Sequence, residues 1–251
     1  MKIGEKILRV ESCPSSNEVA KELAEQCIQE GMVIIADEQT RGKGTKGRTW
    51  FSVRKKGLYM SVILRPSRSD ISLLPLMSGV ALCQALFQAE GVFVQLKWPN
   101  DLVWKKRKLG GILCESSFSG NRLNYVILGF GLNMSHQRED FPEEIRSTST
   151  SLRLITKRGV VEEVLLEKLW DALDNWYSLF LQGMEKKIVK AYLEYSLFPL
   201  GETISVETDK GHEFGIYHGI DSHGSLILEL GGKKRTFFPA QIRVIKRLKE
   251  K

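Results

Sequence analysis

The sequence predicts an α+β fold, one sheet with helices packed around it, followed by a small all-β unit. Three observations carry that expectation. Up to Pro199, apolar strand-like runs alternate with amphipathic helical stretches. After Pro199, five short strand patterns are separated by the turn sequences TDKG, DSHG and LGGK. The 251 residues are 42% hydrophobic and 27% charged, enough for one large domain or one large and one small.

In chain order, residues 17–30 (NEVAKELAEQCIQE) place Val19, Ala20, Leu23, Ala24, Cys27 and Ile28 at helical spacing. Ser15, Ser16 and Asn17 are natural N-cap residues and Gly31 a C-terminal cap. Residues 32–36 read as a buried strand and 58–64 (LYMSVIL) as another. Residues 73–89 form an apolar helix that tolerates Pro75 in its first turn. A strand follows over 92–98. GILCES and NYVILGFGLNM are two more, joined by the polar turn SFSGNR. A strong helix spans 162–181, with Val164, Leu165, Leu169, Ala172, Leu173, Trp176 and Phe180 along one side, and a shorter one lies near 185–195. Beyond the boundary at Pro199, TISVE, EFGIYHGI, SLILEL, KRTFF and IRVIK suggest a small antiparallel barrel.

Several classes drop out. No apolar run reaches the roughly 18 residues of a membrane span. The N-terminus, MKIGEKILRVESC, lacks a signal peptide's apolar core, so a cytosolic protein is expected. Cys13, Cys27, Cys83 and Cys114 form no C-x-x-C pair and read as reduced, partly buried thiols. His136, His212, His218 and His223 lack metal-ligand spacing and read as turn or surface residues. The net charge of +7 attracts anions in general. Its placement is more informative. Residues 41–56 hold Arg41, Lys43, Lys46, Arg48, Arg54, Lys55 and Lys56 without an acid, and Lys105, Lys106, Arg107 and Lys108 form a second cluster.

Within RGKGTKGRTW, Gly42, Gly44 and Gly47 spell G-x-G-x-x-G after an apolar strand. A dinucleotide fingerprint needs a helix to open at the last glycine, and here RTWFS and basic residues follow instead. The kinase reading fails too, because Thr49 stands where valine is needed and H-R-D and D-F-G are absent. What survives is a flexible glycine loop with interleaved cations that can close on an anionic ligand, with Trp50 at its far end. Such a loop is expected to order on ligand binding. Two further constellations stand out. KWPND (97–101) ends a strand in a turn carrying Asn100 and Asp101, and Lys108 opens KLGGIL, where Gly110 and Gly111 permit close approach. GFGLNM (129–134) ends an apolar strand on Asn133, and a buried strand ending in an amide often faces a site.

Taken in order, SSNEVA, DEQTRGKGTKGRTW, GLYMSVIL, KWPNDL, KLGGIL and GFGLNM resemble a biotin protein ligase, over nearly the whole chain. The resemblance implies a mixed sheet flanked by helices, like the catalytic domain of class II aminoacyl-tRNA synthetases, over residues 1–198. It also implies an SH3-like β-barrel over 199–251. The implied reaction has two steps: ATP and biotin give biotinyl-5′-AMP and pyrophosphate, then the adenylate acylates one lysine of a biotin carboxyl carrier domain. Joining a carboxylate to an α-phosphate calls for Lys, Arg and Mg²⁺. By motif, Ser15, Ser16, Asn17 and Gln39 are expected around biotin, with Gly42 and Lys43 near its carboxylate and Gly111 and Gly131 lining its pocket. Arg48 is expected to grip phosphates, Lys108 to sit between carboxylate and α-phosphate, and Asn100 and Asn133 to lie on the nucleotide side, Asn133 near phosphate and Mg²⁺. Lys43 is expected on the adenylate side as well. Asp101 is the candidate to orient or activate the acceptor lysine, and Trp50 to order the loop over adenine or biotin.

Thr45 stands where the family often has an arginine that helps to retain the adenylate. That puts retention in question, with Lys43, Lys46 and Arg48 as nearby cations that could compensate. Because the biotin motif starts by Ser15, no N-terminal DNA-binding domain and no operator binding are expected. Family members are often dimers, so a homodimer is possible. A lipoate–protein ligase shares the adenylating logic and is the first alternative. A nucleic-acid-binding module using the basic stretch with Trp50 and Phe51 is the second.

Overall fold

The computed structural model describes residues 2–209 and 211–248. Lys210, within the predicted TDKG turn, and Lys249 to Lys251, at the end of the predicted second unit, lie outside them. The first part runs β1 (Ile7–Val10), α1 (Ser16–Glu25), β2 (Val33–Ala36), β3 (Gly57–Leu64), α2 (Leu74–Glu90), β4 (Gln95–Lys97), β5 (Asp101–Trp104), β6 (Arg107–Ser119) and β7 (Arg122–Asn133). Four helices follow: α3 (Glu143–Arg146), α4 (Leu152–Thr156), α5 (Glu162–Leu181) and α6 (Glu185–Tyr195). The chain ends in β8 (Thr203–Thr208), β9 (Gly211–Ile220), β10 (Leu226–Leu230), β11 (Lys233–Phe237) and β12 (Ile242–Arg247).

The first seven strands form one mixed sheet in the order β1-β2-β3-β7-β6-β5-β4. Only β1 and β2 pair in parallel. Side chains alternate across a sheet, so the two faces can be read from the register. One face presents Leu58, Met60, Val62, Ile112, Leu128 and Phe130 to a large core shared with α2, α5 and α6. Helix α2 is apolar nearly all round and buried on almost every side, as a central helix must be. The opposite face packs Ile34, Ile63 and Ile127 against Ala20 and Ala24 of α1. Beyond the N-terminal end of α1, this second face is left open, and the cleft lies there.

The structure shifts some predicted boundaries. Helix α1 stops at Glu25 rather than near residue 30. Cys27 takes φ 60°, the Cys27 N–H bonds to Ala24 O and the Ile28 N–H to Leu23 O. That is a Schellman ending, with cysteine in the position usually given to glycine. The strand predicted over 92–98 shrinks to β4, at the sheet edge. Val164 lies off the buried stripe of α5, 41% exposed. His136 is fully buried rather than at a turn or surface, stacked on Phe141 with ring centroids 5.0 Å apart. The thiols of Cys13, Cys27, Cys83 and Cys114 are free, as expected.

Strands β8 to β12 make a second, wholly antiparallel sheet in the order β11-β10-β9-β8-β12. Among the described residues no ladder joins its edges β11 and β12, so the predicted closed barrel is an open five-stranded sheet. Its apolar face, including Val206, Tyr217, Leu226 and Phe237, merges with the core of the first sheet. Trp98 ties the two together: its buried indole Nε1–H donates to Gly224 O at 2.9 Å. Among the described residues no helix is long and apolar enough to cross a membrane.

Candidate functional site

The cleft has a floor made of backbone. Gly111 of β6 pairs with Gly131 of β7, and Leu113 with Gly129. These are alternate positions on one face, so three side chains are missing from neighbouring places. What lies over the glycines shows why. A Cβ on Gly131 would stand 2.6 Å from the Trp50 ring and one on Gly129 would stand 2.3 Å from Asn17 Oδ1, whereas one on Gly111 would meet Asp101 Oδ1 at an ordinary contact distance of 3.5 Å. The space above is about 960 Å³. Ser15, Ser16, Asn17, Gln39, Lys43, Arg48, Trp50, Asn100, Asp101, Lys108, Gly111, Gly131 and Asn133 all line it. The structure therefore brings together thirteen of the fourteen residues singled out from the sequence.

Gly42 is the exception, since it does not line the space. Its carbonyl accepts from Trp50 N at 2.8 Å, and a Cβ there would stand 2.4 Å from Trp50 O. Its lack of a side chain therefore serves the closure of the loop on itself rather than the approach of a ligand. A Lys43–Thr49 bridge and a Gly44 N to Arg48 O bond complete the small hairpin, whose tip is a single 3₁₀ turn, Thr45–Gly47. No longer helix opens there, as the sequence had required. At the tip, Lys46 Nζ donates to Ala240 O at 3.2 Å and to Ile242 O, which ties the loop to the second sheet.

One end of the cleft is neutral and hydrogen-bonded. Gln39 Oε1 accepts from Ser16 N (2.8 Å) and Ser16 Oγ (3.1 Å), while Gln39 Nε2 donates to Ser52 Oγ at 2.9 Å. Ser16 and Asn17 are buried in the first turn of α1, where they face the sheet rather than cap the helix. The other end is charged. Lys108 Nζ lies 2.6 Å from Asp101 Oδ1 and 5.4 Å from the Trp50 ring centroid. The Lys108 backbone is held on both sides, donating to Thr148 O at 2.7 Å and accepting from Thr150 N at 2.9 Å. Asn133 Nδ2 donates to Thr150 O and Asn100 Nδ2 to Ile112 O, so both amides brace the strand ends that carry the charged pair. Among the described residues the buried Trp50 Nε1–H finds no hydrogen-bond partner. A buried donor of this kind is costly unless a ligand accepts from it.

Sequence reasoning missed part of the lining. Lys97, at the end of β4, is half-buried, and burial pulls its ammonium below the ordinary lysine value. Glu202, Lys246 and Arg247 bring the second sheet into the cleft wall, with Arg247 Nε 3.0 Å from Glu202 Oε1. Lys97 stands within the KWPND motif and could have been picked out. The second-sheet residues are brought in only by tertiary packing.

The basic stretch 41–56 is heavily compensated. Lys43 pairs with Glu18 at 2.6 Å, and this hydrogen bond holds the Glu18 carboxyl below its usual range. Arg54 pairs with Glu11 and Lys56 with Asp140. Cations neutralised one by one in this way do not form a continuous face for a nucleic-acid backbone. Among the described residues no group of three or more His, Cys, Asp or Glu side chains could hold a metal ion.

The chain is similar to known proteins over most of its length. Residues 10–133 match the Biotin/lipoate A/B protein ligase family. The bifunctional ligase/repressor BirA of Bacillus subtilis is 32% identical over 250 residues, 96% of this chain and 74% of the relative. The biotin–[acetyl-CoA-carboxylase] ligase of Paracoccus denitrificans is 33% identical over 213 residues, 82% of this chain and 87% of the relative. A solved biotin protein ligase from Aquifex aeolicus, in complex with biotin and ATP, superposes with a TM-score of 0.84 at 25% identity, covering 97% of this chain and all of that one.

Proposed function

The chain belongs to the biotin/lipoate A/B protein ligase family, and from that premise we propose how its cleft activates biotin with ATP and passes it to a carboxylase carrier domain. The enzyme is a biotin–protein ligase: it forms biotinyl-5′-AMP and then biotinylates a lysine. The observation that carries the assignment of chemistry to residues is the Lys108–Asp101 pair, set over Gly111 on the glycine floor.

In the first step, a biotin carboxylate oxygen attacks the α-phosphorus of ATP and pyrophosphate leaves. Two anions must approach, and a fixed cation between them stabilises the charge that develops. Lys108 holds that place, with Arg48 and Lys43 gripping phosphates and the adenylate. The neutral end of the cleft, with Ser15, Ser16, Asn17 and Gln39, receives the biotin rings against Gly131. The Trp50 ring, which here packs on Gly131, moves aside to admit them and then covers them, and its Nε1–H finds an acceptor. In the second step, the acceptor lysine's amine attacks the acyl carbon and AMP leaves. Once Lys108 has turned to the phosphate, the released Asp101 carboxylate orients that amine and takes its proton.

A phosphate-borne Mg²⁺ fits the donors present. Mg²⁺ keeps several waters and needs few protein oxygens. Asn133, whose nitrogen donates to Thr150 O, would turn its amide oxygen to the ion. When bound, the ion would neutralise phosphate charge as pyrophosphate leaves. We assign residues 1–198 to this catalysis and 199–251 to an SH3-like companion that supplies Glu202, Lys246 and Arg247 to the wall. A cytoplasmic setting, where carboxylase carrier domains are modified, completes the reading.

The test is ATP–pyrophosphate exchange with biotin or lipoate as the acid. Exchange that depends on biotin supports the proposal. Exchange with lipoate and none with biotin would overturn it.

A further inference from the structure

Behind the neutral end of the cleft, a charged pair grips one amide. Asn17 and Lys21 stand one turn apart on α1, and both reach Glu115 of β6. Asn17 Nδ2 donates to Glu115 Oε2 at 2.7 Å, and Lys21 Nζ lies 2.5 Å from Glu115 Oε1. On the other side, Ser61 Oγ donates to Asn17 Oδ1 at 2.5 Å. Asn17 Oδ1 also rests where a Cβ on Gly129 would be. A carboxylate can only accept hydrogen bonds. The amide nitrogen of Asn17 must therefore face Glu115, and its oxygen must face Ser61. The reversed amide would set oxygen against carboxylate.

We infer that Glu115, held by Lys21, is a positioning residue that fixes which way the Asn17 amide faces and thereby sets selectivity for the ureido ring of the acid. This rests on the biotin reading above. Glu115 does not line the cleft, so its effect on the substrate passes through Asn17. A ureido group presents one carbonyl acceptor between two N–H donors. A fixed Asn17 amide offers a matched pattern, and an amide free to reverse offers a mismatched one for part of the time. The guanidino analogue 2-iminobiotin, with C=NH in place of C=O, has a different donor pattern and serves as the probe.

The experiment measures KM and kcat for biotin and for 2-iminobiotin by ATP–pyrophosphate exchange in the wild type, Glu115→Gln and Lys21→Met. A glutamine at 115 accepts or donates, and no longer dictates the Asn17 orientation. Glu115→Gln is expected to raise KM for biotin about tenfold, with kcat within about twofold, and to narrow the biotin-to-analogue preference in kcat/KM. Lys21→Met keeps the carboxylate and is expected to leave that preference unchanged. An unaltered preference in Glu115→Gln would overturn the inference, as would a fall in kcat alone, equal for both acids. If Glu115→Gln gives no cooperative melt, the double variant Lys21→Met/Glu115→Gln, which leaves no unpaired ammonium, is measured in its place. It must narrow the same preference, and an unchanged ratio there also overturns the inference. Wild-type enzyme that exchanges with lipoate and not with biotin would refute the functional reading itself, which is a separate outcome.

Discussion

Replacing Lys108 by alanine separates catalysis from binding in a way the structure lets one size. The ammonium lies 2.6 Å from Asp101 Oδ1 with side chains 36% and 25% exposed, so water screens the pair. Losing a pair this exposed costs under about 1 kcal/mol of stability, and the melting temperature should fall by only a few degrees. The transition state is different. A unit charge about 4 Å from a developing charge is worth roughly 4 kcal/mol at an effective dielectric constant of 20. Removing one such group from a preorganised site typically costs about 2.7–4 kcal/mol, or roughly 10²–10³ in rate. Biotin itself is held mainly at the far, neutral end of the cleft, so its dissociation constant should change less than about threefold. ATP–pyrophosphate exchange reads the first quantity and calorimetric titration with biotin the second. Equal losses in both would refute the placing of Lys108 between carboxylate and phosphate.

Asp101→Asn should leave exchange within about threefold while slowing single-turnover transfer from preformed adenylate to a carrier domain by about 10²–10⁴, the range of general-base catalysis. Gly42→Ser should loosen the loop hairpin, since its Cβ would stand 2.4 Å from Trp50 O, and adenylate release measured by stopped flow should accelerate. Lys46→Ala removes the two bonds to Ala240 and Ile242. At about 1 kcal/mol net per bond, chymotryptic cleavage at Trp50 or Phe51 should speed up roughly thirtyfold, and biotin with ATP should restore protection. Burial lowers the pKa of His136 to about 4, with Asp140 and Lys56 as its charged neighbours. The unfolded chain then binds a proton between about pH 6.5 and pH 4 that the folded chain does not, so stability falls on acidification through that window. From pH 7 to pH 5 the loss is about 2 kcal/mol. His136→Phe, which keeps the stack on Phe141, should flatten that part of the melting profile.

Much of this site could be read from the chain because its residues sit in short motifs with fixed local roles. KWPND and KLGGIL supply a turn and a strand start, and strand pairing then sets Asp101 opposite Gly111. What the sequence does not carry is register across the sheet. That Gly111 faces Gly131, and Leu113 faces Gly129, follows from β6 and β7 pairing over their whole length. Helix α1 ends short of the predicted residue 30 because Cys27 occupies a left-handed position with no local signal, whereas after α2 that position falls to a glycine, Gly91. His136 reads as a surface residue because nothing near it in sequence announces that Phe141 will stack on it and that the Ser151 hydroxyl will donate to its carbonyl. The packing around Gly42 is hidden in the sequence for a related reason. A glycine chosen for backbone closure and one chosen for ligand approach look the same until the neighbour of the absent Cβ is known.

The glycine floor limits how the specificity of this enzyme can drift. A surface built from three residues without side chains has nothing to trim, and any mutation there only adds bulk beneath Trp50, Asn17 or Asp101. Admitting a longer or wider acid would therefore have to come from the walls, above all from α1 and the loop. Point changes would accumulate on those overhanging segments while the base stayed fixed.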